Sequence, residues 1–256
     1  MLKVKVKVGC CGFPGGMKNY YRDFDLVEVQ KTFYKPPRIE TLKRWREAAP
    51  KGFEFSVKAW QLITHDPRSP TYRKAGIKLE EGSYDKYGFF RSTEEVFEAW
   101  SVVKECCKVL RSKICIFQTP ASFRKNEENL ENIKNFFSSI DRDDIKLGLE
   151  LRSKSWDDET LSRMFEEFDL MHVVDPFDRL PLHKGRMVYF RLHGSPPGTK
   201  MYRYKYKEED LRYLISVLER FSHCEMAYVL FNNVYMREDA LRFIEMLIQE
   251  RQEDCL

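Results

Sequence analysis

No apolar run in this chain approaches the roughly 18 residues that a membrane-spanning helix needs, so no membrane partner is expected. No secretory leader is expected either. Met1 runs directly into the alternating pattern Leu2-Lys3-Val4-Lys5-Val6-Lys7-Val8, which reads as a strand. The cysteines number 7, with adjacent pairs Cys10–Cys11 and Cys106–Cys107 and no C-x-x-C spacing. An odd count in that pattern excludes a legible disulfide framework and a structural zinc site, and it points to a reducing cytoplasm. Histidine is scarce, 5 in all, and no H-E-x-x-H motif is present. The turn Gly12-Phe13-Pro14-Gly15-Gly16 follows a strand but is neither a Walker A loop nor G-x-G-x-x-G. Net charge is small as well. Lys+Arg 44 against Asp+Glu 40 leaves +4, too little by itself to argue for nucleic acid. No Pro/Gly/Ser-rich linker divides the chain, so one domain over residues 1–256 is expected.

What the chain does have is a core. Hydrophobic residues make up 43% and aromatics 14% of its 256 residues. Eight short apolar runs read as strands: 3–11, 26–30, 53–59, 113–118, 145–152, 170–175, 187–193 and 226–233. Amphipathic helical patterns fall between most of them, at 39–49, 93–110, 126–140, 158–168, 207–221 and 237–250. Ser92/Thr93 before Glu94-Glu95 and Asp157 before Asp158-Glu159 read as helix caps. The connections after strands one and six are short and poorly helical. Strict alternation implies a parallel sheet, and eight strands favour a (β/α)8 TIM barrel over an open doubly wound sheet. Residues 60–91 lack strong periodicity, and a connection that long reads as a lid or binding loop.

Polar residues cluster where the strands end. Glu28 and Gln30 close strand two, Lys58 strand three, Gln118 strand four, Glu150 and Arg152 strand five, and Asp175 strand six. Arg191 and His193 close strand seven, and Asn232 and Asn233 strand eight. Alternation points each i, i+2 pair the same way. Any one of these has a bland reading, a solvated boundary or a structural ion pair. Seven strands doing so predict one cavity at the C-terminal barrel mouth, shared by Glu28, Lys58, Gln118, Glu150, Asp175, Arg191, His193 and Asn232.

At this point a family resemblance emerges. Val27-Glu28-Val29-Gln30 followed by Thr32-Phe33-Tyr34, Phe55-Ser56-Val57-Lys58-Ala59 and Ile63-Thr64-His65 resemble segments of the YecE-like family, known as domain of unknown function 72. Phe117-Gln118-Thr119-Pro120, Glu150-Leu151-Arg152 with Ser155-Trp156, Tyr189-Phe190-Arg191-Leu192-His193-Gly194 and Phe231-Asn232-Asn233 are similar to further segments, in order along the chain. Gln30 stands where many relatives have Asn, and the first loop lacks the family's usual aromatic-rich form. The resemblance implies a TIM barrel, with a suggested kinship to endonuclease IV-like and xylose isomerase-like barrels, and no settled activity.

The strand-end chemistry suggests an enzyme acting on a phosphorylated or nucleic-acid substrate by acid/base hydrolysis or lyase chemistry. Glu28 and Glu150 would be the acid/base pair, with His193 as proton shuttle and Asp175 alongside. The same Glu28, Glu150, Asp175 and His193 would be the ligands if a divalent metal were bound. Lys58, Arg152 and Arg191 would clamp an anion, with His65, Gln118, Trp156, Tyr204, Asn232 and Asn233 as further substrate contacts. The loop Gly194-Ser195-Pro196-Pro197-Gly198, Lys200, Tyr202, Arg203, Tyr204, Lys205, Tyr206, Lys207 alternates aromatic and basic residues, which suits a nucleic-acid strand. A non-catalytic nucleic-acid-binding barrel and a carbohydrate or carboxylate enzyme stay open beside the leading reading. So does the choice between an anionic small molecule and nucleic acid as partner. His172, His183 and His223 fall outside the pattern and read as structural or exposed.

Overall fold

All eight apolar runs form strands in the computed structural model, which describes residues 3–182, 185–194 and 201–253. They are β1 Lys5–Cys11, β2 Leu26–Val29, β3 Glu54–Lys58, β4 Ile114–Gln118, β5 Lys146–Glu150, β6 Leu170–His172, β7 Met187–Leu192 and β8 Met226–Phe231. Their order in the sheet is β6-β5-β4-β3-β2-β1-β8-β7. The first and last strands are neighbours, pairing in parallel from Lys5↔Met226 to Cys10↔Phe231. An open doubly wound sheet has no such pairing, and the topology is that of a (β/α)8 barrel.

The helices are α1 Met17–Asp23, α2 Lys31–Tyr34, α3 Ile39–Ala48, α4 Gln61–Thr64, α5 Pro70–Lys74, α6 Glu94–Leu110, α7 Glu127–Ser139, α8 Asp158–Glu167, α9 Glu208–Glu219 and α10 Met236–Glu253. Helix α6 buries Val96, Ala99, Trp100, Val103, Cys106, Cys107 and Leu110, one stripe at helical spacing. At α8 the Asp157 carboxylate accepts the Thr160 N–H at 2.9 Å, as the capping pattern requires. At α6 the expected cap is absent. Thr93 occupies the N-cap, but its hydroxyl donates to the Lys86 carbonyl at 2.6 Å instead. No helix among the described residues is long and apolar enough to cross a membrane.

The chain forms two compact units. One comprises Met1–Glu28, Pro50–Glu54 and Met171–Leu256, the other Val29–Ala49 and Phe55–Leu170. In the second, Phe117, Phe123, Phe136 and Phe137 gather around the fully buried Phe90, and Trp100 packs on Phe117 and Phe136. In the first, Tyr206, Phe231 and Phe243 pack in edge-on and tilted contacts. Such ring pairs each add about 0.5–1.5 kcal/mol beyond simple burial.

Residues 60–91 are more structured than their weak periodicity suggests. Besides α4 and α5 they contain a 3-10 turn, Glu81–Lys86, and their end folds back on their start. Gly88 donates its N–H to the Leu62 carbonyl at 2.7 Å, and Phe90 to the Ile63 carbonyl at 2.8 Å. Gly88 has φ 77°, and a Cβ there would lie 2.2 Å from the His65 carbonyl oxygen. Only glycine fits this closure.

Candidate functional site

In the unit built from β3, β4 and β5, three adjacent strands each end in a buried polar side chain. These are Lys58, Gln118 and Glu150. Gln118 and Glu150 are register partners, and Lys58 pairs with Ile116, two residues before Gln118. The side chains therefore sit on one face by the pleat alone. The Lys58 ammonium donates to Gln118 Oε1 at 2.8 Å and lies over the Phe33 ring, 4.1 Å from its centroid. Gln118 passes its own amide N–H to the Thr119 carbonyl at 3.0 Å. Arg152 donates through Nε to Glu150 Oε1 at 2.8 Å; its side chain is 28% exposed against 8% for Glu150.

His65 joins this group through Phe33 rather than through a hydrogen bond to the strand ends. Its ring meets Phe33 edge-on at 4.9 Å, and its Nδ1 pairs with the Thr64 hydroxyl at 2.8 Å. Burial lowers its pKa to about 3, the positive charges of Lys58 and then Arg152 push the same way, and Glu150 opposes them. The imidazole is thus neutral and acts as a dipole, not as an acid. Trp156, expected at the substrate, is buried in the core of this unit. It stacks on Phe123 and donates its indole N–H to the Phe123 carbonyl at 2.9 Å.

The other unit holds a second polar cluster. Arg191 grips Glu28 through two bonds, Nη2 to Oε1 at 2.9 Å and Nε to Oε2 at 3.1 Å, and the Tyr189 hydroxyl donates to Oε2 at 2.9 Å. Both charged side chains are 0% exposed. The expected acid/base and anion-clamp roles of Glu28 and Arg191 thus meet a different arrangement, in which a fork-on-fork ion pair engages the groups that those roles require. His193, also buried, is held by Asp175. Its backbone N–H donates to Asp175 Oδ2 at 2.8 Å, and Nδ1 lies 3.4 Å from the same oxygen. Asp175 Oδ1 accepts the Phe177 N–H at 3.0 Å, which fixes the carboxylate.

Asn232 lies just past β8, half-buried, with its N–H on the Leu192 carbonyl at 2.8 Å. Asn233 bridges the Tyr204 carbonyl and Asp239, each at 2.7 Å. Gln30 is likewise not a strand residue but the N-cap of α2. In the aromatic-basic alternation after β7 Arg203, Lys205 and Lys207 are exposed, while the tyrosines Tyr204 and Tyr206 have internal partners. The Tyr204 hydroxyl donates to Asp210 at 2.7 Å, Lys205 pairs with Glu238, and the buried Tyr206 hydroxyl accepts the Gly194 N–H at 2.8 Å. Ser195, Pro196, Pro197, Gly198 and Lys200 of that loop, and His183, lie outside the described residues. His172 is buried and accepts the Leu182 N–H at 3.1 Å, and His223 is exposed, so both match the structural reading.

Among the described residues, no group of three or more His, Cys, Asp or Glu side chains is placed to hold a metal ion. The expected divalent-metal set of Glu28, Glu150, Asp175 and His193 gains no support from the geometry. Sequence reasoning missed Phe33, the ring beneath Lys58, and Tyr189, the phenol on Glu28. Both stand inside segments singled out above, but an aromatic residue in an apolar run carries no mark of a polar partner.

A family model described as Protein of unknown function DUF72 matches residues 14–255. The UPF0759 protein YunF of Bacillus subtilis (strain 168) is 27% identical over 248 residues, covering 85% of this chain and 80% of its own length. Among solved structures, a DUF72 family protein from Enterococcus faecalis V583 superposes with a TM-score of 0.72 at 19% identity, covering 97% of this chain and 99% of that one. Endonuclease IV from Thermus thermophilus is similar in fold at a TM-score of 0.52 and 10% identity, over 96% of this chain and 99% of that one.

Proposed function

Since this chain belongs to the DUF72 family, whose description names no reaction, we propose from the strand-end chemistry that it is an acid/base enzyme acting on a phosphorylated substrate. Hydrolysis or elimination at a phosphoester is the reaction class. Glu150 is the general acid/base, and Lys58 and Arg152 hold the anionic group.

The observation that carries this reading is the run of buried Lys58, Gln118 and Glu150 at the C-terminal ends of three adjacent strands. A buried cation and carboxylate cost stability that apolar side chains of equal volume would not. Barrel proteins place their reacting groups at these strand ends. Arg152 suits the anion role because its guanidinium is partly exposed beside Glu150. A neutral His65 leaves the cluster's positive charge to Lys58 and Arg152. The likeness to an endonuclease adds nucleic acid to the phosphorylated compounds worth assaying.

The test is Glu150→Gln, assayed with whichever phosphomonoester or phosphodiester the parent protein turns over. Turnover should fall by ~10² or more while substrate affinity holds, as for a lost general acid/base. Arg152→Gln should instead raise KM. Unchanged turnover in Glu150→Gln, or a parent protein inert across the panel, would sink the assignment.

A further inference from the structure

The long connection after β3 contains a cleft that the proposed reaction does not use. Arg68, Ser69, Tyr72, Arg73, Lys78 and Tyr84 are among the residues that line it, and its volume is about 430 Å³. Small-ligand sites span roughly 300–1,000 Å³, so the cleft suits a compact molecule rather than a polymer.

Its charge is one-sided. Arg68 is shared with Asp66, at 3.2 Å, and its guanidinium lies 5.5 Å from the centre of the Tyr84 ring. The side chains of Arg73 and Lys78 have no hydrogen bond or ion pair among the described residues. The nearby acids Glu80 and Asp85 are not part of the lining. Two exposed cations in a concave site, without counter-ions among the described residues, suit a doubly charged anion. A partly exposed ring beside a guanidinium suits a flat aromatic group.

The walls are fixed in place. Ser69 caps α5 by accepting the Thr71 N–H at 3.4 Å, and the buried Tyr72 donates its hydroxyl to the His65 carbonyl at 2.9 Å. The Gly88 closure braces the same segment from its far end. Binding there would not have to order the loop first, which is a saving in entropy.

We propose that this cleft binds a phosphate monoester of a small molecule that also bears a flat ring, as a nucleoside monophosphate does. Arg73 and Lys78 take the phosphate, and Tyr84 with the Arg68 guanidinium takes the ring. The site is separate from the strand-end cluster and does not rest on the reaction proposed there.

Calorimetric titration of the full chain with adenosine 5′-monophosphate, adenosine and inorganic phosphate tests it. The nucleotide should bind more tightly than either fragment. Replacing both cations, Arg73→Gln with Lys78→Gln, should weaken it about tenfold or more, the scale of lost charge-assisted hydrogen bonds. Tyr84→Ser should erase the nucleotide's advantage over inorganic phosphate. Arg73, Lys78 and Tyr84 are all at least partly exposed, so thermal melting of these variants should match the parent. If the double variant melts early, Lys78→Gln alone serves in its place. Nucleotide affinity no better than that of the fragments, or unmoved by the cation replacements, overturns the proposal. So does affinity lost in Lys58→Met but kept in Arg73→Gln with Lys78→Gln. An eight-residue oligothymidylate binding tenfold tighter than the mononucleotide, with steep salt dependence, overturns the small-ligand assignment.

Discussion

A histidine that cannot take a proton ties the site to the pH of its surroundings. Burial first, then Lys58 and Arg152, lower the His65 pKa from 6.5 to about 3. Between those values the unfolded chain binds a proton at His65 that the folded chain refuses. The stability contributed by the neutral imidazole is therefore complete above pH 6.5 and falls as the pH drops through that window toward 3. The loss is on the order of a few kcal/mol. Urea unfolding between about pH 7 and pH 4 should show a steeper decline for the parent than for His65→Phe. Parallel declines would mean that His65 is protonated in the folded protein. The residue scale is also where the sequence was hardest to read. Glu28 and Arg191 stood out as polar strand ends, and they are polar. That they would grip one another depends on side chains from β2 and β7 meeting, which no local pattern encodes. Phe33 was invisible for the opposite reason, an apolar residue whose importance comes from the cation above it.

Elements were legible in proportion to their length. Strands of alternating or continuous apolar residues and helices of ten or more residues carry their period in the sequence, and those were found with ends displaced by a few residues. Gln30 and Asn232 fell just past their strands because a chain leaving a sheet changes its backbone angles before it changes its composition. The helices of residues 60–91 are four and five residues long, too short for a 3.6-residue repeat to appear. What organises that segment is a single contact, Gly88 against the His65 carbonyl, at a positive φ. Gly88→Ala should destabilise the segment by ~1–3 kcal/mol from backbone strain, with the steric clash adding to it. Limited proteolysis should then cut faster between residues 60 and 91 while the remaining chain keeps its protection. Equal cutting rates in parent and variant would show that the closure is not what orders the segment.

For the whole molecule, strand–helix alternation made the barrel class readable without any knowledge of the side chains. The division into two compact units left no such mark, because it follows the packing of segments distant in sequence. The thiols give a global measure of that packing. Among the described residues Cys10, Cys11, Cys106, Cys107, Cys115 and Cys224 are all buried thiols, none of them in a disulfide. Burial drives the Cys10 thiol far up and the Cys106 thiol to about 12, so neither offers a thiolate at neutral pH. In a Cys255→Ser background, a thiol reagent should label these six only as fast as the protein unfolds, and at once in denaturant. Rapid labelling of the folded protein would contradict the packing. The Glu28–Arg191 pair has a separate consequence for behaviour in changing salt. Exposed pairs such as Arg163–Glu159 and Arg212–Glu208 lie within reach of dissolved ions, whose screening extends over ~10 Å at 0.1 M. Glu28 and Arg191, sealed from solvent, lie beyond that atmosphere. Brine that loosens the outer charge lattice weakens this inner attraction far less, so the interior around β7 should keep its arrangement in a dilute medium and a saline one alike.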